Sequence, residues 1–308
     1  MPLTLVASPR FVDHVTPVGH PERPERAQVL SRVAGEFAKQ GGRVLDPRPA
    51  TDADLERVHT REHIDAIVAT RGRATMIDED TFTSPDSEEI ARLAAGAVLT
   101  GVDQVMDGPP RSRALVLVRP PGHHAEADRA MGFCLYSNIA IGAAYARSRG
   151  CGRVAIVDYD VHHGNGTQWI FYEDPTILFV SSHQYPFYPG TGAASEKGRG
   201  AGLGFTLNLP MPAGTRGDEI QRQYEEHVLP AIRGFKPDLL MVSAGFDAHE
   251  MDPLGQLRMT TADFGRLTKT LIGLADEVCG GRVVMVTEGG YDLGAVEDCL
   301  NAVIRACG

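Results

Sequence analysis

The stretch Asp158-Tyr-Asp-Val-His-His-Gly-Asn-Gly-Thr-Gln168 sets two acids and two adjacent histidines directly behind the apolar run Val154–Val157. If residues 158–162 stay extended, a period of two turns Asp158, Asp160 and His162 to one side and Tyr159 and Val161 to the other. A carboxylate oxygen from Asp160 and an imidazole nitrogen from His162 suit one divalent metal. Asp247, behind another apolar run, can supply a third ligand. Three protein ligands with a position left for water is the pattern of a catalytic zinc site. The competing interpretation is a metal-free cluster of hydrogen-bonded loop groups.

A second pair, His123 and His124, follows Arg119-Pro-Pro-Gly122, where proline stiffens the approach and glycine allows a tight turn. A neutral imidazole beside an activated water can take its proton and pass it to a leaving group. Asp158 can orient and charge-stabilise one of the two rings. Adjacent loop histidines are otherwise ordinary polar surface. Tyr291, after Gly289 and Gly290, offers a phenolic donor to an oxyanion formed at an attacked carbonyl, or simply packs. Phe133, in Gly132-Phe-Cys134, fits a core position or an apolar channel wall equally well.

Five runs rich in Val, Ile and Leu must position these groups: 114–118, 154–157, 177–180, 239–242 and 283–286. They read as buried strands. Helical patterns alternate with them at 88–105, 137–148, 217–232, 261–278 and 294–306, which predicts an α/β fold with a parallel sheet covered on both faces. Ligands in such sheets bind outside the carboxyl ends of the strands, so five separate loops become one expected pocket. The N-terminal third is less regular, with helices expected from the 20–26 stretch through Phe37 and near 61–70. No linker or repeat interrupts the chain, and one domain over 1–308 is the economical reading. Loops at 10–26, 75–86 and 184–199 are expected to shape the entrance.

Composition narrows the function further. Of 308 residues, 43% are hydrophobic and 23% charged, with no apolar tract long enough for a membrane span. The start MPLTLVASPRFVDH has no basic leader or long apolar core, and a cytoplasmic location is expected. A formal charge of −10 opposes broad contact with nucleic acid phosphates. The five cysteines form no CxxC pair, so neither a disulfide framework nor a cysteine metal site is indicated.

These motifs together resemble the histone deacetylase superfamily, which includes acetylpolyamine amidohydrolases and acetoin-utilisation proteins. The resemblance is carried in order by His20-Pro-Glu-Arg-Pro-Glu-Arg26, the 119–125 and 132–134 stretches, the 158–168 loop, Phe187-Tyr-Pro-Gly-Thr-Gly192, Ala244-Gly-Phe-Asp-Ala-His249 and Glu288-Gly-Gly-Tyr291. It implies the arginase-deacetylase fold, a central eight-stranded parallel sheet flanked by helices on both faces. It implies one zinc held by Asp160, His162 and Asp247, with His124 as general base and acid. His123 then acts electrostatically with Asp158, and Tyr291 donates to the oxyanion. A potassium ion is implied among mainly backbone oxygens of Asp158, Asp160, His162, Ser181 and Ser182. Gly132, Phe133, Phe187, Tyr188, Leu254, Gly289 and Gly290 would meet substrate, and His163 would be structural support.

Asn165 gives His124 a neutral partner where some relatives have aspartate. With Glu288 and Asp252-Pro-Leu-Gly255, that is the pattern of the class II branch. The implied substrate is an acetylated amine, acetyl-lysine in a peptide or protein first. A polyamine-selective branch has glutamate where this chain has Leu254. The alternatives are an acetylpolyamine amidohydrolase, a dinuclear manganese ureohydrolase short of bridging carboxylates, and a non-catalytic acyl-lysine binding module. A homo-oligomer is compatible with all of them.

Overall fold

The computed structural model describes residues 3–308, leaving Met1 and Pro2 of the N-terminal stretch outside it. Ten strands occur among the described residues: β1 (Leu3–Ala7), β2 (Arg43–Leu45), β3 (Thr75–Met76), β4 (Phe82–Thr83), β5 (Arg113–Leu117), β6 (Val154–Asp158), β7 (Ile177–Gln184), β8 (Thr206–Met211), β9 (Leu239–Ala244) and β10 (Val283–Thr287). β3 and β4 make a small antiparallel ribbon. The other eight form one sheet in the order β2-β1-β5-β10-β9-β6-β7-β8, parallel throughout.

Period-two alternation explains why the central strands are apolar at every position. Leu115, Leu117, Ala155, Val157, Leu240 and Val242 face one way. They pack under helices α1 (Glu25–Lys39), α9 (Thr261–Val278) and α10 (Leu293–Cys307). Their neighbours Ala114, Val116, Val154, Ile156, Leu239 and Met241 face the other way, under α4 (Ser87–Met106) and α5 (Asn138–Ser148). A strand covered on both faces has no place for a polar side chain until it leaves the sheet. The chemistry is therefore pushed to the strand ends.

The helices carry local signals too. α9 begins with a capping box in which Thr260 and Asp263 exchange hydrogen bonds with each other's backbone N–H. Asp292 caps α10 through the Ala295 N–H. The expected helix over 217–232 is instead α7 (Gly217–Gln223), a π-helical turn at Tyr224–Val228, and α8 (Leu229–Phe235). Shorter helices α2 (Asp52–Leu55), α3 (Arg61–Val68) and α6 (Asn165–Ile170) complete the set. Strands β2 and β8 are not legible as apolar runs: β2 is three residues long, and β8 sits at the sheet edge with Pro210 within it. No helix among the described residues is long and apolar enough to cross a membrane.

Candidate active site

The four strands β5, β10, β9 and β6 are consecutive neighbours at the centre of the sheet. Their carboxyl ends bring together the loops bearing His123 and His124, Glu288 to Tyr291, Asp247, and Asp158 to His162. These loops are distant in sequence, and only the strand order makes them adjacent.

The expected alternation over 158–162 is not what the chain does. β6 ends at Asp158 and the backbone bends through 160–162. Side-chain acceptors stabilise the bend: Asp158 Oδ1 accepts from Asp160 N (3.1 Å), Asp160 Oδ1 from His162 N (2.9 Å), and Asp247 Oδ1 from Val161 N (2.8 Å). Asp158 then turns to His123, its Oδ2 standing 3.0 Å from Nδ1. Asp160, His162 and Asp247 converge, each offering one donor atom within 4.8 Å of the others.

This trio fits a divalent ion. Asp247 Oδ2 is buried without a hydrogen-bond donor, although His162 Nδ1 lies 3.2 Å away. Burial and the neighbouring Asp160 carboxylate push Asp247 up to about 7, against the lowering effect of His162. Gly289 lies against both acids. A Cβ there would overlap Asp247 Oδ2 and Asp160 Oδ2, so glycine leaves the space between them open. Two carboxylates and one imidazole, with further positions free, form a donor set suited to catalytic zinc.

The paired histidines are buried side by side, their ring centroids 4.0 Å apart, and their surroundings separate them. Burial opposes charge on His123, but Asp160 and Asp158 outweigh it and hold that ring well above the usual imidazole value. Burial, with His123 and His162 nearby, pushes His124 well below it. His124 is therefore the neutral ring able to accept a proton. Its Nδ1 lies 2.7 Å from Asn165 Oδ1, and Asn165 in turn donates to Glu126 Oε1 (2.7 Å).

Tyr291 is buried, and burial with nearby Asp247 holds its phenol well above its ordinary value, hence protonated. Its backbone is clamped. Asp252 Oδ2 accepts from Tyr291 N (2.6 Å) and Asp292 N (3.2 Å), while Arg26 donates to the carbonyls of Glu288 and Gly290 (both 2.6 Å). Arg26 is held by Glu22, which also takes two bonds from Arg119 (2.7 Å each), an ion cluster buried throughout.

Glu288 performs a second clamping task. Its Oε2 accepts from the consecutive N–H groups of Gly122 (2.7 Å) and His123 (3.1 Å), and its Oε1 from the Ser243 hydroxyl (3.0 Å). From the sequence, Glu288 and Asp252 read only as branch markers, Arg26 lies within the 20–26 stretch, and Ser243 and Glu126 carry no signal of their own.

Aromatic rings flank the approach to the site. Phe133 takes φ +68°, a left-handed conformation rare for a side chain of its size, and its N–H is held by Thr81 Oγ1 (3.1 Å). Its ring meets Tyr291 (5.8 Å) and His20 (4.7 Å) edge to face. Phe187 stacks on His162 (5.3 Å), and Tyr188 stands edge-on to His124 (5.2 Å). Gly132 backs onto the His124 ring, where a Cβ would collide. Leu254 and Tyr291 share a cavity of about 750 Å³ with His20 and Pro253. Gly290, at φ +121°, shapes the turn before Tyr291.

Ser181 pairs with Asp158 in the ladder, and Ser182 Oγ lies 3.4 Å from the Asp158 carbonyl, so the five residues expected around potassium are neighbours. His163 is buried between Thr191 Oγ1 and Gln168 Oε1, away from the donor trio.

Residues 20–307 match the model of the histone deacetylase domain. The chain is 41% identical over 296 residues to histone deacetylase 15 of Arabidopsis thaliana, covering 93% of this chain and about half (52%) of that protein. It is 40% identical over 293 residues to the histone deacetylase-like amidohydrolase of Pseudomonas aeruginosa, covering 93% of this chain and 76% of the relative. Among solved structures, the HDA15 HD domain superposes with a TM-score of 0.92 at 37% identity, covering 99% of this chain and 90% of that one.

Proposed function

The chain belongs to the histone deacetylase family, with its arginase-deacetylase fold, and we propose that it hydrolyses the amide of acetyl-lysine in peptides or proteins to acetate and the free amine. The observation that carries this reading is the division of labour in the histidine pair. A neutral His124, hydrogen-bonded to Asn165, sits beside the Asp160–His162–Asp247 trio with its ring 5.8 Å from that of His162.

In this mechanism His124 takes a proton from the water that attacks the acetyl carbonyl. Tyr291, kept protonated, donates to the oxyanion that develops as the carbonyl carbon becomes tetrahedral. His124 then delivers its proton to the departing lysine nitrogen as the C–N bond breaks. His123, charged against Asp158, stabilises negative charge without transferring a proton. Zinc held by Asp160, His162 and Asp247 would supply Lewis-acid polarisation of the carbonyl and acidify the water. The same reading gives a potassium ion to the oxygens of Asp158, Asp160, His162, Ser181 and Ser182. Phe133, Phe187 and Tyr188 would form the apolar sleeve for the lysine stem.

Leu254, in the cavity that holds Tyr291, carries no carboxylate for a second amine, and the one acid in that lining, Glu25, is accompanied by the cationic Arg23, which favours acyl-lysine over acetylpolyamines. The test is kcat/KM on acetyl-lysine peptides and on N8-acetylspermidine, each with and without a chelator. Higher efficiency on the peptides, abolished by the chelator and restored by zinc, is expected. Preference for the polyamine would refute the substrate assignment, and chelator-insensitive turnover the metal assignment.

A further inference from the structure

The described surface exposes few large apolar side chains. Val15 and Met76 line one groove, Val18 lines the cavity that holds Tyr291, and Tyr188 stands against His124, while Trp169, Leu203 and Met251 complete the exposed set among the described residues. Beside the mouth, between the 13–17 segment and the β3–β4 ribbon, runs an apolar groove of about 550 Å³ walled by Val15, Met76, Phe82 and Pro85. That volume is within the roughly 300–1,000 Å³ range of pockets that hold ligands.

The groove adjoins the cavity that holds Tyr291 and Leu254. Thr16 and Pro17 line both, as a shared wall. The Phe82 ring is 5.5 Å from His20, which is 4.7 Å from Phe133, which is 5.8 Å from Tyr291. An extended peptide advances roughly 3.3 Å per residue, so a position a few residues from a lysine in the sleeve reaches the groove. The walls are preset: Ser84 Oγ accepts from Val15 N (3.0 Å) and donates to Asp13 O (3.3 Å), tying the two segments together.

We propose that this groove binds an apolar side chain of a protein or peptide substrate, a few residues from the acyl-lysine, and so selects which lysines are processed. The inference rests on the deacetylase reading and deepens it. The walls offer an aliphatic or aromatic group a place out of water, with the carboxylates of Asp13 and Asp86 also in the lining. Contiguous apolar surface at a functional opening is itself a mark of a recognition face.

The test varies one flanking residue at a time between Leu and Ser in acetyl-lysine peptides, with an N- and C-capped acetyl-lysine as the minimal substrate. The wild-type protein should prefer Leu at one flanking position by about tenfold in kcat/KM. Met76→Glu and Val15→Glu, both on exposed side chains, should erase that preference while leaving the minimal substrate within about twofold. No preference at any position, or equal losses on minimal and flanked substrates, overturns the groove assignment.

Fluorescence anisotropy with labelled peptides keeps the two readings separate. Absence of turnover on every substrate refutes the deacetylase reading, while the Leu-over-Ser difference in Kd, and its loss in Met76→Glu, still decides the groove. Two other occupants would also overturn it. One is a second copy of the chain, seen as a dimer by light scattering that Met76→Glu disperses without changing peptide binding. The other is a long acyl chain, seen as a dependence on acyl length and not on the flanking residue.

Discussion

Glu288 allows the link between a buried hydrogen-bond clamp and catalysis to be tested directly. Replacement by Ala orphans the N–H groups of Gly122 and His123, which both donate to Oε2, and frees the Ser243 hydroxyl. Each buried orphan donor costs about 1–3 kcal/mol, so the Ala variant should lose about 2–6 kcal/mol of stability. The loop bearing His123 and His124 would shift with it, and a displacement of about 1 Å at a reacting group can cost about 100-fold in rate.

Glu288→Gln is the control. Because both N–H groups go to one oxygen, a glutamine carbonyl can accept both while its amide donates to Ser243 Oγ. Stability should fall by about 1 kcal/mol or less, with kcat within about tenfold of wild type. The assay pairs urea unfolding with kcat and KM on an acetyl-lysine peptide at saturating zinc. The reasoning fails if the Ala variant keeps wild-type kcat. It fails also if Gln is as damaging as Ala, since negative charge and not geometry would then be the requirement.

If the phenol donates to the oxyanion as proposed, Tyr291→Phe should lower kcat by about 100- to 1,000-fold with little change in KM; unchanged turnover would remove Tyr291 from the mechanism. Zinc should raise the Tm of metal-free protein, and Asp247→Asn should abolish most of that rise, as differential scanning fluorimetry would show. Buried Glu22 feels burial raising its pKa, but Arg119 and Arg26 outweigh it and bring the carboxyl to about 2 from 4.5. Its contribution of about 3 kcal/mol is thus fully present above pH 4.5 and is lost as pH falls towards 2. Burial lowers His14 and His59 to about 3 from 6.5, so stability should begin to fall below pH 6.5. A flat urea midpoint between pH 6.5 and 4 would contradict the histidine part, and Glu22→Gln should flatten the limb below 4.5.

Residue type and order alone identified much of the candidate site. Val154–Val157 and Val283–Val286 are apolar at every position because both sheet faces are covered, and the ionisable groups behind them mark the strand ends. Motif order then grouped Asp160, His162, Asp247, His123, His124 and Tyr291, which the folded chain brings together. The geometry within the group was not local information. Asp160 and His162 converge through a bend and not by strand alternation, because Asp247, from the loop after the neighbouring strand β9, captures the Val161 N–H. The clamps were equally hidden: Glu288 and Gly122 are 166 residues apart, and Arg26 and Gly290 are 264 apart. A side chain's type states what bonds it can make. Which backbone group receives them depends on the strand order β5-β10-β9-β6, and that order is set by packing two helix layers onto one sheet.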